Sequence, residues 1–240
     1  MMNKTIHYCW FGNNPKPKLI QKCIESWKKY CPDYEIKEWN ETNFDVNICL
    51  YVEQAYQNKK WAFVSDFARF WVLSNEGGVY LDTDVELIKP LDDFLVKPFL
   101  AFETATSVAT GLVMYCKKGD ELCRTMIDEY MKDRFVLSDG NLNLRTVCDR
   151  VTDYLVERGL ELEDKTQNIA GYTIYDTSYF NPIDMDTMQV KCKENTVSIH
   201  HYAGTWVPKK DKFRGKVYSM MCRMFGKNCA EKIRKILGRK

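Results

Sequence analysis

Two carboxylates, Asp82 and Asp84, stand two residues apart directly after the apolar run Val79-Tyr80-Leu81, which itself follows Gly77-Gly78. A run this apolar reads as a buried strand, and alternate residues of extended chain project to the same side. Carboxylates at the carboxyl end of a parallel strand face the crevice in which open α/β sheets bind ligands. Hard oxygen donors of this kind suit Mg²⁺ or Mn²⁺, ions that keep several waters and complete their shell from a substrate's phosphates. The chemistry expected of Asp82 and Asp84 is therefore to hold a divalent cation against a nucleotide diphosphate. D-x-D is also a common turn tripeptide, and the strand before it is what favours the functional reading.

Two further clusters carry usable groups. Asp66 and Arg69 lie one helical turn apart and share a face, surrounded in sequence by Trp61, Phe63, Phe67, Phe70 and Trp71. An exposed ion pair is the plain alternative, but a charge pair among aromatics costs desolvation unless it binds something polar. Sugar hydroxyls would serve, with Asp66 accepting and Arg69 donating. The segment His200-His201-Tyr202-Ala203-Gly204-Thr205-Trp206 holds two of the three histidines in the chain. A neutral imidazole ligates Mn²⁺ well, and of the two His201 is favoured as the ligand and His200 as a structural residue. Trp206 reads either as a cover over the diphosphate or as core. Trp10, at the end of the first strand, reads as a nucleobase stack or as packing.

The elements that would position these groups alternate. Thr5 to Phe11 is apolar on both faces of a period-two pattern, as in a central strand. Leu19, Ile20, Cys23, Ile24 and Trp27 recur at helical spacing before Pro32, and Tyr34 to Trp39 is a short second strand. Trp61 to Glu76 is a strong helix stopped by the double glycine, and Val85 to Ile88 is extended. Strands are expected near Phe99 to Phe102, Leu112 to Tyr115, Thr173 to Tyr175 and Val197 to His201, with helices near Glu121 to Lys132 and Leu144 to Glu157. The order strand, helix, strand argues for an α/β fold with a mainly parallel central sheet flanked by helices.

Composition bounds the rest. With 240 residues and 45% apolar content the chain can fill a sizeable core, which excludes disorder as its main state. A net charge of +2 is too near balance for the whole chain to be a polyanion binder. That average hides a split: Lys209 to Lys240 carries 12 basic and 2 acidic residues, against 23 and 31 before it. Apolar residues at Phe213, Val217, Met220, Met221, Met224, Ile233, Ile236 and Leu237 make this segment amphipathic. It is expected either to lie on an anionic membrane or to pack its stripe on the domain; it carries no nucleic-acid motif. Ten scattered cysteines without a C-x-x-C pair suggest reduced, buried thiols rather than a zinc site. No leader and no run of membrane-spanning length is seen, so a cytoplasmic protein, peripheral on the membrane if the tail binds it, is the expectation.

Four segments together resemble glycosyltransferase family 32, the D-x-D sugar transferases, and the glucosyltransferase domains of large clostridial toxins. They are Ile6-His7-Tyr8-Cys9-Trp10-Phe11-Gly12, Ser65-Asp66-Phe67-Ala68-Arg69, Gly77-Gly78-Val79-Tyr80-Leu81-Asp82-Thr83-Asp84-Val85 and His201-Tyr202-Ala203-Gly204-Thr205-Trp206. The resemblance, which runs from about Ile6 to Trp206, implies a GT-A fold; residues 1–208 are taken as that domain, and 209–240, by charge and apolar spacing, as a basic helical tail. It implies Trp10 on the nucleobase, Asp66 and Arg69 on the donor sugar, and Tyr80 and Asp82 near ribose and phosphate. Asp84 would be the direct metal ligand, aided by Asp82 and His201, with Thr205 and Trp206 beside the leaving diphosphate. Glu103 and Asn143 are candidates for further sugar contacts.

The activity so implied is Mn²⁺- or Mg²⁺-dependent transfer of a hexose or N-acetylhexosamine from a UDP-sugar to a glycan or lipid-linked saccharide, with retention, in cell-surface polysaccharide synthesis. Two other classes stay open on the residues alone: a metal-dependent phosphohydrolase of nucleotides or sugar phosphates, and a non-catalytic glycan-binding module at the membrane surface. The first would release inorganic phosphate and normally clusters more acidic ligands; the second would let the site decay.

Overall fold

The computed structural model describes residues 3–204 and 209–236. The first strand, β1 (Thr5–Cys9), is buried from Ile6 onward and pairs in parallel on both edges, which explains its two-sided apolar pattern. Helix α1 (Lys18–Tyr30) turns Ile20, Cys23 and Trp27 inward, and β2 (Glu35–Trp39) returns beside β1. A short helix unmarked in the sequence pattern, α2 (Leu50–Gln57), precedes α3 (Trp61–Glu76), whose bounds match expectation. Gly77 and Gly78 then adopt φ of 72° and 104°, a region open to glycine, and release the chain into β3 (Gly78–Tyr80). A side chain at Gly78 is also barred by packing, since its Cβ would lie 2.8 Å from the Thr5 carbonyl oxygen on β1.

After the turn at 82–84 come β4 (Val85–Leu87), β5 (Phe99–Thr104), β6 (Ser107–Val108) and β7 (Met114–Cys116). Helices α4 (Glu121–Lys132) and α5 (Val147–Val156) follow, the second starting later than expected because Thr146 caps it in a reciprocal box with Asp149. The remainder comprises β8 (Gln167–Ile169), β9 (Tyr172–Tyr175), α6 (Thr177–Phe180), β10 (Ile183–Asp184), β11 (Gln189–Val190) and β12 (Ser198–His200). Two helices, α7 (Lys209–Phe225) and α8 (Lys227–Ile236), meet at Gly226, with φ of 77°.

The main sheet has the order β2-β1-β3-β7-β5-β9-β8, with β6 on β5. Strands β2, β1, β3, β5 and β9 run one way and β7, β6 and β8 the other, so the sheet is mixed with a parallel majority. Alternation along the strands feeds two cores. Cys9, Tyr80, Leu100 and Met114 join the core under α3, whereas Tyr8, Val79, Phe99 and Tyr115 join the core around Trp27 and Phe180. Outside this sheet, β12 pairs antiparallel with β4, and β10 with β11. Among the described residues no helix is long and apolar enough to cross a membrane.

Candidate active site

A cleft of about 990 Å³ opens where β1 and β3 end, lined among others by Trp10, Asp66, Arg69, Tyr80, Asp82 and Asp84. Arg69 organises one wall. Its Nη2 donates to Asp66 Oδ1 at 2.8 Å and lies 3.3 Å from Asp82 Oδ1; its Nη1 donates to Thr110 Oγ1 at 3.0 Å; its Nε donates to the Ser65 carbonyl at 3.3 Å. The guanidinium also stands 4.8 Å above the Tyr80 ring. With Asp66 8% and Arg69 3% exposed, this is a buried clamp and not a surface ion pair. Burial pushes the Asp66 carboxyl up to about 6, against the pull of Arg69, while the facing carboxylates outweigh burial for Arg69 and raise its pKa.

The Asp82 backbone N–H donates to the Gly111 carbonyl at 2.8 Å, and the Asp82 carboxylate fills the space beside Gly111. The D-x-D segment is not extended. Strand β3 stops at Tyr80, and Val85 N–H donates to the Asp82 carbonyl at 3.1 Å, closing a turn over 82–84. The two carboxylates still line one cleft, but each has its own surroundings. Asp84 Oδ1 meets His200 Nε2 at 3.0 Å, and its Oδ2 accepts from the Ala203 backbone N–H at 2.7 Å.

The histidine beside Asp84 is thus His200 and not His201, the ring expected there. His201 Nε2 instead meets Glu86 Oε2 at 2.8 Å. The cause is strand alternation: β12 lies against β4 with His200 opposite Val85, so consecutive rings point to opposite faces. Burial disfavours the charged His200 ring, but the Asp84 carboxylate facing it outweighs burial and holds its pKa above the usual value. For Asp84 burial also opposes charge, and the His200 contact again wins, lowering its pKa.

Neither Tyr202, which lines the cleft, nor Asn181 behind it has a role assigned from the sequence. Tyr202, with φ of 48°, packs against His200 at 4.2 Å between ring centroids with the planes tilted by 46°, and Asn181 Nδ2 donates to both the Tyr202 hydroxyl and the Glu103 carbonyl at 2.8 Å. Glu103 lines the cleft, and burial holds its carboxyl above the ordinary range. Asn143 does not line it; its amide donates to Asp133 at 3.0 Å. Trp10 lies at the rim, with Nε1 donating to the Asn14 carbonyl at 2.7 Å and Lys16 Nζ 5.7 Å from its ring. Thr205 and Trp206 lie outside the described residues.

Carboxylates with a nearby imidazole are the donor set that Mn²⁺ or Mg²⁺ accepts, so the chemistry of Asp82, Asp84 and His200 fits a divalent ion. They are not gathered around one point: among the described residues the group of ligand atoms lying within 4.8 Å of one another is Cys116, Asp120 and Cys123. In that group Asp120 is already engaged, accepting from Cys123 N–H as the cap of α4 and from the Tyr172 hydroxyl.

Residues 17–100 match the family described as the glycosyltransferase sugar-binding region containing DXD motif. A protein of Acanthamoeba polyphaga mimivirus, Uncharacterized glycosyltransferase L373, is 23% identical over 95% of this chain and 89% of its own. These matches support a glycosyltransferase of the family 32 type. Another relative, Subversion of eukaryotic traffic protein A of Legionella pneumophila, is 24% identical over 53% of this chain, which spans about a quarter (24%) of that protein's length. The solved structure of a glycosyltransferase involved in the glycosylation of the major capsid of PBCV-1 superposes with a TM-score of 0.53 at 15% identity, covering 90% of this chain and 99% of that one. This likeness is one of fold and places the mixed sheet in the GT-A class.

Proposed function

We propose that the chain transfers a hexose or N-acetylhexosamine from a UDP-sugar to a glycan or lipid-linked saccharide, with a divalent ion at Asp82 and Asp84 and with retention of configuration. The observation that carries the proposal is the placement of both carboxylates in one cleft at the carboxyl ends of β1 and β3, with Arg69 fixing Asp82 and His200 facing Asp84. A divalent ion bound there would supply positive charge toward the departing diphosphate. The chain's own groups would divide the remaining work. Trp10 offers a ring for the base, Asp66 an acceptor for sugar hydroxyls, and Arg69 holds the Asp66 and Asp82 oxygens in register. Thr205 and Trp206 are assigned to the diphosphate side on resemblance alone. Synthesis of a cell-surface polysaccharide precursor at the cytoplasmic face of a membrane is the setting that suits such an acceptor.

The test is release of UDP from a panel of UDP-hexoses and UDP-N-acetylhexosamines with Mn²⁺ and no acceptor. Wild-type protein is expected to release UDP slowly and Asp84→Ala to lose that release. Release of inorganic phosphate in place of UDP would favour a phosphohydrolase, and absence of both turnover and metal-dependent nucleotide binding would overturn the proposal.

A further inference from the structure

Helix α7 turns an apolar stripe outward. Phe213, Val217, Met220 and Met224 recur at i, i+4, i+7 and i+11, on one helical face, and are 68, 40, 60 and 61% exposed. The opposite face is the packed one, with Ser219 and Cys222 buried. Of the two arrangements open to this segment, the stripe packed on the domain is therefore not the one adopted by α7. The stripe runs about 16 Å along the axis. Lys210 and Arg214 flank one edge and Lys216 and Arg223 the other, while the lone acidic residue of the helix, Asp211, lies toward the back.

The helix is also tied to the body near both of its ends. Lys212 Nζ donates to the Ala203 carbonyl at 2.7 Å, and the Ala203 N–H is the one that holds Asp84. Farther along, Arg223 Nε donates to the Thr187 carbonyl at 2.6 Å, and beyond Gly226 Lys227 pairs with Asp186 at 3.0 Å. The exposed stripe is thus presented by an anchored helix next to the cleft.

We propose that this face of α7 docks on an anionic lipid bilayer, with the stripe entering the acyl boundary and the flanking cations meeting lipid phosphates. Charge complementarity selects this occupant: the segment from Lys209 holds 12 basic and 2 acidic residues, whereas the rest of the chain is net acidic. A second copy would bring the same cations against one another. The proposal deepens the transferase reading by placing a lipid-linked acceptor beside the cleft, but docking itself needs neither donor nor metal.

Flotation of the full chain with vesicles of phosphatidylcholine, with and without phosphatidylglycerol, tests it. Wild-type protein is expected to float with the anionic vesicles, to float far less with neutral ones, and to lose at least about tenfold in binding at high salt. Phe213→Glu with Met224→Glu should lose at least about tenfold while the melting temperature and metal-dependent UDP release stay unchanged. Should that variant fold poorly, Lys210→Glu with Lys216→Glu alters exposed charges only and should show the same loss. No flotation, equal flotation on neutral vesicles, or a wild-type dimer that Phe213→Glu with Met224→Glu dissociates would each overturn the proposal. Flotation without UDP release in the wild type would instead sink the transferase reading and leave docking intact.

Discussion

Gly111 leaves no room for a methyl group beside Asp82: a Cβ at that position would lie 1.9 Å from Asp82 Oδ2 and 3.2 Å from Arg69 Nη1. The backbone of Gly111 needs no left-handed conformation, so the constraint is the space itself. Gly111→Ala is expected to rotate the Asp82 carboxylate out of the cleft wall. UDP release should fall by at least about tenfold, with a stability loss of about 1–3 kcal/mol from overpacking. Steady-state kinetics beside urea denaturation check this; unchanged turnover would show that the Asp82 orientation does not matter.

Arg69→Ala should be the most damaging change in the cleft. It would strand the buried Asp66 carboxylate and unclamp Asp82, and losing one partner of a buried ion pair costs about 3–5 kcal/mol. Arg69→Lys keeps the charge but cannot reproduce four contacts made by a planar fork, so it should restore part of the stability and little of the turnover. Denaturant midpoints and kcat for both variants decide the matter.

The two neighbouring histidines should separate cleanly. His200→Ala removes the ring facing Asp84 and is expected to weaken metal-dependent UDP release at least about tenfold. His201→Ala removes a partly exposed contact to Glu86 and should cost at most about 1 kcal/mol of stability, with turnover preserved. A titration of Mn²⁺ against UDP release with each variant provides the comparison, and the reverse ranking would restore His201 as the ligand.

Stability should decline as pH falls below about 6.5 because of His7. Its ring is fully buried, accepts at Nδ1 from Trp39 Nε1 at 3.2 Å and meets the Gly77 carbonyl through Nε2 at 2.9 Å. Desolvation, only partly offset by the bond to Gly77, lowers its pKa in the fold. The unfolded chain then binds the proton first, so the contribution of the neutral ring is whole above the unfolded value and is lost below it, at up to about 1.4 kcal/mol per pH unit. Urea unfolding at pH 7 and pH 5.5 should show the drop in the wild type and a smaller one in His7→Gln.

What the chain's order of residues determined alone was local. The alternation of Ile6 to Cys9, the period of α3 and the double glycine specified their elements, because backbone sterics and burial patterns act over a few residues. The short apolar elements between them were less legible: α2 and the late start of α5 depend on what they pack against and on a cap. The D-x-D pair was legible as a ligand set, yet its turn was not, since that turn, closed by Val85 N–H on the Asp82 carbonyl, is held against the distant Gly111. Likewise, two adjacent histidines are equivalent in a linear string. Which ring meets Asp84 is decided by how the turn at 82–84 meets the end of β12, a contact across more than a hundred residues.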